Sequence, residues 1–327
     1  MKIIKNADHS LWRKVAEACP YATFFHSPLW HTLIEKVYSD KVNRPIALIT
    51  DRGTKAILPL VQTSQSTMGI LRNYESSFAG CYGGIIADGE LKDEEVTILY
   101  KTIQELRTGE VYLTDNPLRS HWNANTWINS FDRGEDDFTQ IISLDQSFEK
   151  VLEGFSRGHR SSMNKGLDMG VSVRTSANKK DYKAYFEAYQ ASLERWGADA
   201  SSSYSWDFFE ECYRLNKQYP SNVKLWLAEV EGELASGAIV FYWNNHIDYW
   251  HGASYKKYFD YRANNVLHPE IMKDGIEKGF RFYDFNPSGG HEGVANFKSR
   301  FGSSKWPVKR GVISGKLLKA VKKVKSI

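Results

Sequence analysis

Three cysteines in 327 residues, Cys19, Cys81 and Cys212, are too few, odd in number and too widely spaced for a disulfide framework or a cysteine-based metal site. The nine histidines are scattered, no His-Glu-x-x-His occurs and none pairs with a cysteine at ligand spacing, so no catalytic metal is expected. A Walker loop, a strand-linked Gly-x-Gly-x-x-Gly and a Gly-x-Ser-x-Gly elbow are all missing, which leaves nucleotide hydrolysis and a serine hydrolase without support. No apolar run approaches the length of a membrane span, and residues 1–15 have no secretory h-region. The expected location is a reducing cytoplasm.

What is present describes a folded, sheet-rich chain. Hydrophobic residues make up 42% and aromatic ones a high 14%, which excludes a disordered segment, and the length suits two domains with separate cores. The net charge of +4 suits phosphate-bearing ligands but falls short of a dedicated nucleic-acid binder.

A weak internal repeat organises the chain. Pro45 to Thr50, the turn Asp51-Arg52-Gly53 and Ala56 to Val61 read as a hairpin. Val223 to Val230, the Glu231-Gly232 turn and Leu234 to Trp243 repeat it, with Gly237 read as a bulge. A third apolar strand follows each hairpin, over Gly80 to Ile86 and His246 to Gly252. A helix comes next, with Val96, Leu99, Ile103 and Leu106 on one face in the first half, and Leu267, Ile271 and Ile276 in the second. Pro269 then belongs to the first turn, and Gly109 and Gly279 stop the two helices. Two strands that both end in Asn-Pro follow, over Val111 to Pro117 and Phe282 to Pro287. A hairpin, a third strand, a crossover helix and a fourth strand make the core of a GNAT-like fold, present twice. The fold class is therefore α+β: two tandem GNAT-like domains, each a mixed twisted sheet flanked by helices.

Residues 149–170 form a polar, basic, helix-like segment carrying Arg157, Arg160 and Lys165, and the domain junction is placed just before it. That gives an N-terminal domain over 1–145, a C-terminal catalytic domain over 146–305, and a basic strand and helix over 306–327 packing back on the first domain. The lysines of residues 316–325 suit either solvent or peripheral contact with an anionic membrane surface. Tyr182 to Trp196 reads as an amphipathic helix with Tyr185, Tyr189 and Leu193 on one side.

The richest segment for chemistry is Tyr283 to Gly302, which starts at a strand end and holds glycines, an aromatic pair and Lys298. An ammonium aimed into a partly desolvated cleft would stabilise the oxyanion of a tetrahedral acyl-transfer intermediate. Taken alone, such a lysine is more often a solvated surface residue.

These residues resemble the FemAB and BioF2-like acyltransferase family. Tyr283-Asp284-Phe285, a Gly-rich stretch and Phe297-Lys298-Ser299-Arg300-Phe301-Gly302 are similar to its C-terminal signature. Residues Arg160 to Val171 resemble its basic segment ending in Gly-Val, Ser192 to Gly197 its helix end with an acceptor-binding arginine, and Phe25 to Trp30 its opening helix signal. The resemblance spans nearly the whole chain, with Phe-Lys-x-x-Phe-Gly its most specific element.

The resemblance implies that Lys298 assists the acyl-transfer intermediate, Phe297 positions the acceptor amine and Arg195 contacts acidic groups of the acceptor. Arg160 and Lys165 join as candidate phosphate contacts, Tyr283 and Asn286 as substrate contacts, and Asp284 and His291 as candidate proton acceptors. It implies an N-acyltransferase with no tightly bound cofactor. The acyl or aminoacyl donor is acyl-CoA or, alternatively, aminoacyl-tRNA. The acceptor is an amino group of a small or lipid-linked cell-envelope precursor, a peptidoglycan peptide or an amino sugar. The sequence departs from the family in lacking the coiled-coil arm of longer members, and from simple GNAT enzymes in lacking their pyrophosphate loop after His251-Gly252. The rival reading is a non-catalytic module that binds a phosphorylated sugar or RNA through Arg157, Arg160 and Arg195.

Overall fold

The computed structural model describes residues 1–67, 70–76, 78, 81–105, 108–119, 131–197 and 203–325. They divide into two compact units, Met1–Phe138 with Pro307–Ile327, and Thr139–Trp306. The division falls within strand β9 (Arg133–Ser143).

In the first unit, helix α1 (His9–Ala18) is capped by the Asp8 carboxylate and helix α2 (Pro28–Val37) by Ser27, with Pro28 in its opening turn. This explains the opening helix signal: serine satisfies an orphan N–H, and proline has none to lose. The expected hairpin is β3 (Ile46–Ile49) and β4 (Lys55–Leu58), antiparallel from Ile46↔Leu58 to Ile49↔Lys55. With β1 (Lys2–Lys5) and β7 (Ile86–Ala87) it forms a four-stranded sheet in the order β1-β3-β4-β7.

A second set of strands runs β15-β8-β6-β5-β2, comprising β2 (Val42–Asn43), β5 (Val61–Thr67), β6 (Leu71–Glu75), β8 (Thr108–Thr114) and β15 (Ser304–Ser314). Here the structure corrects two expectations. The strands that follow the hairpin are β5 and β6, not residues 80–86, of which only Ile86 is in a strand and Gly80 lies outside the described residues. The polar alternation of residues 61–75 hides a hairpin whose hydrogen bonds come from its backbone. Gly109 is likewise a β8 residue and not a helix stop, while Leu106 lies outside the described residues. Helix α3 (Asp93–Glu105) links β6 to β8, which pair in parallel, and packs Leu99 and Ile103 against Leu48, Leu58 and Val111. In the last helix, which we number α10 (Lys316–Lys325), Lys319 and Lys322 are paired with Asp132 (2.6 Å) and Glu110 (3.0 Å).

The second unit has the strand order β10-β11-β12-β13-β14, ending on the Thr139–Ser143 part of β9. Its strands are β10 (Ser172–Ser176), β11 (Val223–Val230), β12 (Glu233–Trp243), β13 (His246–Ser254) and β14 (Phe282–Asp284). All pairings are antiparallel except β13 with β14. Gly237 is not the bulge: it pairs regularly with Leu227, and the register slips at Ala228/Glu229 and Ile239/Val240. A Cβ on Gly237 would lie 2.8 Å from the Tyr185 ring, so the glycine admits that ring against the sheet.

The basic segment after residue 147 is not one helix but two, α4 (Phe148–Gly154) and α5 (Arg157–Asp168), each begun by a serine cap, Ser147 and Ser156. They are followed by α6 (Lys179–Trp196) and α7 (Trp206–Gln218). Helix α6 buries Tyr182, Tyr185 and Tyr189, while Leu193 is half-buried. The crossover helix is α8 (Ala263–Glu277), which begins earlier than the sequence suggests and holds Pro269 in its interior. Proline there has no N–H for the carbonyl of Asn265, the fourth residue before it. Helix α9 (Glu292–Ser299) follows β14. The core joins α8, through Leu267, Ile271 and Met272, to the inner face of the sheet and to Phe155, Tyr283, Phe285 and Phe301.

Candidate active site

The β13–β14 ladder runs from His246↔Phe282 to Asp248↔Asp284 and stops there, although β13 continues to Ser254. Where the ladder stops, Asn286 takes the left-handed conformation (φ 59°), and three of its groups are gripped. Its backbone N–H donates to Asp284 Oδ1 (2.8 Å), its side-chain amide donates to Asp248 Oδ1 (2.6 Å), and its carbonyl accepts from Lys298 Nζ (2.7 Å). Asparagine tolerates a left-handed backbone better than most residues, so the same residue supplies both the turn and the tether.

Both carboxylates are fully buried. Asp284 also accepts from the Thr139 hydroxyl and lies 3.1 Å from His246 Nε2. Burial, and next the neighbouring Asp284, push the Asp248 carboxyl well above the usual carboxylate range, against the pull of Asn286 and Lys298. Lys298 itself is only 5% exposed, with Pro287 O a second, longer contact at 3.5 Å. Those two carbonyl acceptors give the Lys298 Nζ a defined direction.

The two phenylalanines around Lys298 have separate jobs. Phe301 is buried among Phe155, His159, His268 and Phe285, with ring centroids 4.5–5.5 Å apart. Phe297 is half-buried, packs on His159 and His268, and forms part of a cavity wall. Tyr283 is fully buried and its hydroxyl lies 2.7 Å from His268 Nδ1. Burial, then the Lys298 charge and His159, lower His268 to about 3, so its imidazole is neutral at ordinary pH.

That cavity, about 290 Å³, lies at the N-terminal end of α8 and is bounded by Ser236, Ser254, Phe259, Asn264, Asn265 and Phe297, among others. Helix α8 has no side-chain cap, and its first residues, Ala263, Asn264 and Asn265, line this cavity at the positive end of the helix. Asn265 Nδ2 and Ser236 Oγ, on residues 7% and 1% exposed, have no hydrogen-bond partner. A buried amide without an acceptor is costly, and a bound oxygen-rich anion would satisfy it. The Arg195 guanidinium donates to Ser254 O (3.0 Å) and lies 5.1 Å from the Phe259 ring, placing it beside this wall.

The structure thus brings together Tyr283, Asp284, Asn286, Phe297 and Lys298, and sets Arg195 against the cavity. Arg160 stands elsewhere: one guanidinium nitrogen donates to Glu153 O (2.9 Å) and Phe155 O (2.8 Å), capping the end of α4. Lys165 is exposed on α5, and His291 is exposed at the start of α9. Sequence reading missed Asp248, His246, His268, Ser236 and Asn265. A charged residue inside the apolar strand His246 to Gly252 was the available signal for Asp248. Among the described residues no group of three or more His, Cys, Asp or Glu could hold a metal, and no helix is long and apolar enough to cross a membrane.

Residues 154–299 match the family described as Acetyltransferase (GNAT) domain, and the fold of the chain is that of tandem GNAT proteins. Its overall fold is FemAB-like: the crystal structure of FemX is similar over 99% of both chains, with a TM-score of 0.74 at 14% identity. L-PGS from Bacillus licheniformis is similar over 98% of this chain and 96% of that one (TM-score 0.53, 11% identity). A tandem GNAT protein from the clavulanic acid biosynthesis pathway is similar over 96% and 100% (TM-score 0.52, 12% identity). Among curated proteins no sequence matches.

Proposed function

We propose that this chain is an N-acyltransferase that moves an acyl or aminoacyl group from an activated donor, acyl-CoA or aminoacyl-tRNA, to an amino group of a cell-envelope precursor. The observation that carries the reading is the buried Lys298 ammonium, held on Asn286 at the point where β13 and β14 stop pairing. A donor carbonyl there would meet a charge already desolvated and aimed, which stabilises a developing oxyanion without reorganisation. The donor is already activated, so alignment of amine and carbonyl supplies much of the remaining effect and no covalent enzyme intermediate is needed. Phosphates of the donor suit the uncapped N-terminus of α8 with Asn265 and Ser236. Asp248 and Asp284 act by holding Asn286 in place. The envelope acceptor rests on the FemAB resemblance.

The test is transfer of labelled acetyl from acetyl-CoA, and of labelled amino acid from charged tRNA, to a UDP-linked muramyl peptide and to amino sugars. Lys298→Met should lower kcat by roughly 10²–10³-fold with little change in KM, the usual cost of losing one oxyanion donor. Undiminished turnover in that variant would exclude the proposed role of Lys298. Absence of transfer from either donor would favour the binding-module alternative.

A further inference from the structure

The wall of the α8 cavity continues outward into a surface of exposed aromatic rings interleaved with cations. Phe259, which bounds the cavity, is 44% exposed, and Trp196, at the end of α6, is 40% exposed. The Arg195 guanidinium lies 5.1 Å from the first ring and 5.5 Å from the second, held by its hydrogen bond to Ser254 O. Close by in sequence, the Lys257 ammonium lies 4.7 Å from the ring of Tyr258, another cavity residue, and 5.8 Å from that of Tyr255.

Large aromatic faces left in water are unfavourable for an isolated chain, and a guanidinium near two of them fixes their geometry. Aromatic faces and an arginine plane bind flat heterocycles by stacking, and surrounding cations attract the phosphates attached to them. The cavity alongside is lined by Asn265 and Ser236, whose Nδ2 and Oγ have no hydrogen-bond partner, and by the first turn of α8. An aromatic shelf and an anion-accepting hollow side by side match one ligand type, a nucleotide.

We propose that Trp196 and Phe259, with Arg195 near both rings, form a stacking shelf for the adenine base of the donor's nucleotide end, which assigns Arg195 to the donor and not to the acceptor groups that the resemblance implies. This rests on the donor reading above and deepens it. The two donor candidates share the required chemistry, since coenzyme A carries an adenosine diphosphate and tRNA ends in an adenosine. The shelf adds affinity for the donor and takes no part in the chemical step.

The experiment is calorimetric titration of the full chain with two ligand pairs differing in the adenine base alone: coenzyme A against its abasic analogue, and a short RNA ending in CCA against the same RNA with an abasic 3′ nucleotide. Wild type should bind one adenosine-bearing member about tenfold tighter than its counterpart, the scale of one stacked base. Trp196→Ala and Phe259→Ala should erase that ratio, while Trp196→Phe, which keeps an aromatic face, should retain most of it. The pair that shows the ratio identifies the source of the adenosine. A ratio near one in wild type, or one that survives both alanine variants, overturns the shelf. If the wild type then still transfers an acyl group and Lys298→Met does not, the donor reading stands without the shelf. If neither transfers, the donor reading falls as well. Both side chains are well exposed, so the alanine variants should fold, and their melting temperatures check this.

Discussion

Replacing Gly302 by alanine tests why the signature around Lys298 ends in glycine. Gly302 has φ 76°, a conformation that costs an L-residue about 1–2 kcal/mol. A Cβ there would also stand 2.5 Å from the carbonyl oxygen of Gly154, a backbone atom that cannot swing aside as a side-chain tip would. Forcing the α4 end and the residues after α9 apart adds about 1–3 kcal/mol, as overpacking typically does. The sum, roughly 2–5 kcal/mol, corresponds to a fall in melting temperature of roughly 5–15 °C for a domain of this size. Gly290→Ala is the control, because Gly290 has φ 82° but nothing within 4 Å of the added carbon. It should show the conformational cost alone, about 1–2 kcal/mol. Differential scanning calorimetry of both variants beside wild type isolates the close approach. Equal shifts in the two would refute the argument that α4 and the Phe-Lys-x-x-Phe-Gly segment are held by glycine-to-glycine contact.

Gly237→Ala should destabilise the second unit by about 1–3 kcal/mol in urea unfolding, because the new carbon meets the Tyr185 ring at 2.8 Å and the Trp226 carbonyl oxygen at 2.9 Å. Asp248→Asn should cost less than Asp248→Ala, since its side-chain oxygen can still accept from the Asn286 amide. Asp248→Ala should cost about 1–3 kcal/mol by leaving the Asn286 amide only its longer contact to Tyr249 O (3.3 Å), and thermal melts separate the two. Acid should unfold the protein through histidine. His31, His251 and His268 are each lowered to about 3 by burial, so below the ordinary value of about 6.5 the unfolded chain takes up protons that the folded chain refuses. Their contribution is complete above about pH 6.5 and is lost as pH falls towards 3. Each refused proton contributes about 1.4 kcal/mol per pH unit in that window. Unfolding free energies measured from pH 7 to 4 that do not fall would contradict the neutral burial of these rings.

The fold was legible where a residue's role is local, and the site only where several local roles coincide. The hairpin Val223 to Trp243 could be read because turn chemistry and β-branched or aromatic residues agree over its whole length, and β11 and β12 stand nearly where the pattern puts them. The hairpin β5–β6 was missed because Gln62, Arg72 and Asn73 give it no apolar alternation to read. The segment over residues 149–170 was read as one helix because its composition is helical throughout, and only the caps at Ser147 and Ser156 reveal two.

The same distinction separates Lys298 from Asp248. Lys298 lies in a short segment where each neighbour is constrained for its own reason: Phe301 by the core, Gly302 by its backbone and by Gly154, and Phe297 by the cavity wall. Asp248 gains its meaning only from Asn286 and Asp284, which the ladder brings beside it from far along the chain, and no spacing in the sequence encodes that meeting. Arg160 shows the converse. A basic residue on a helix looks the same in sequence whether it awaits a phosphate or, as here, donates to the carbonyls that end the preceding helix. Of the three arginines that the binding-module alternative requires, two are therefore already engaged by the chain's own backbone, Arg160 by Glu153 O and Phe155 O and Arg195 by Ser254 O.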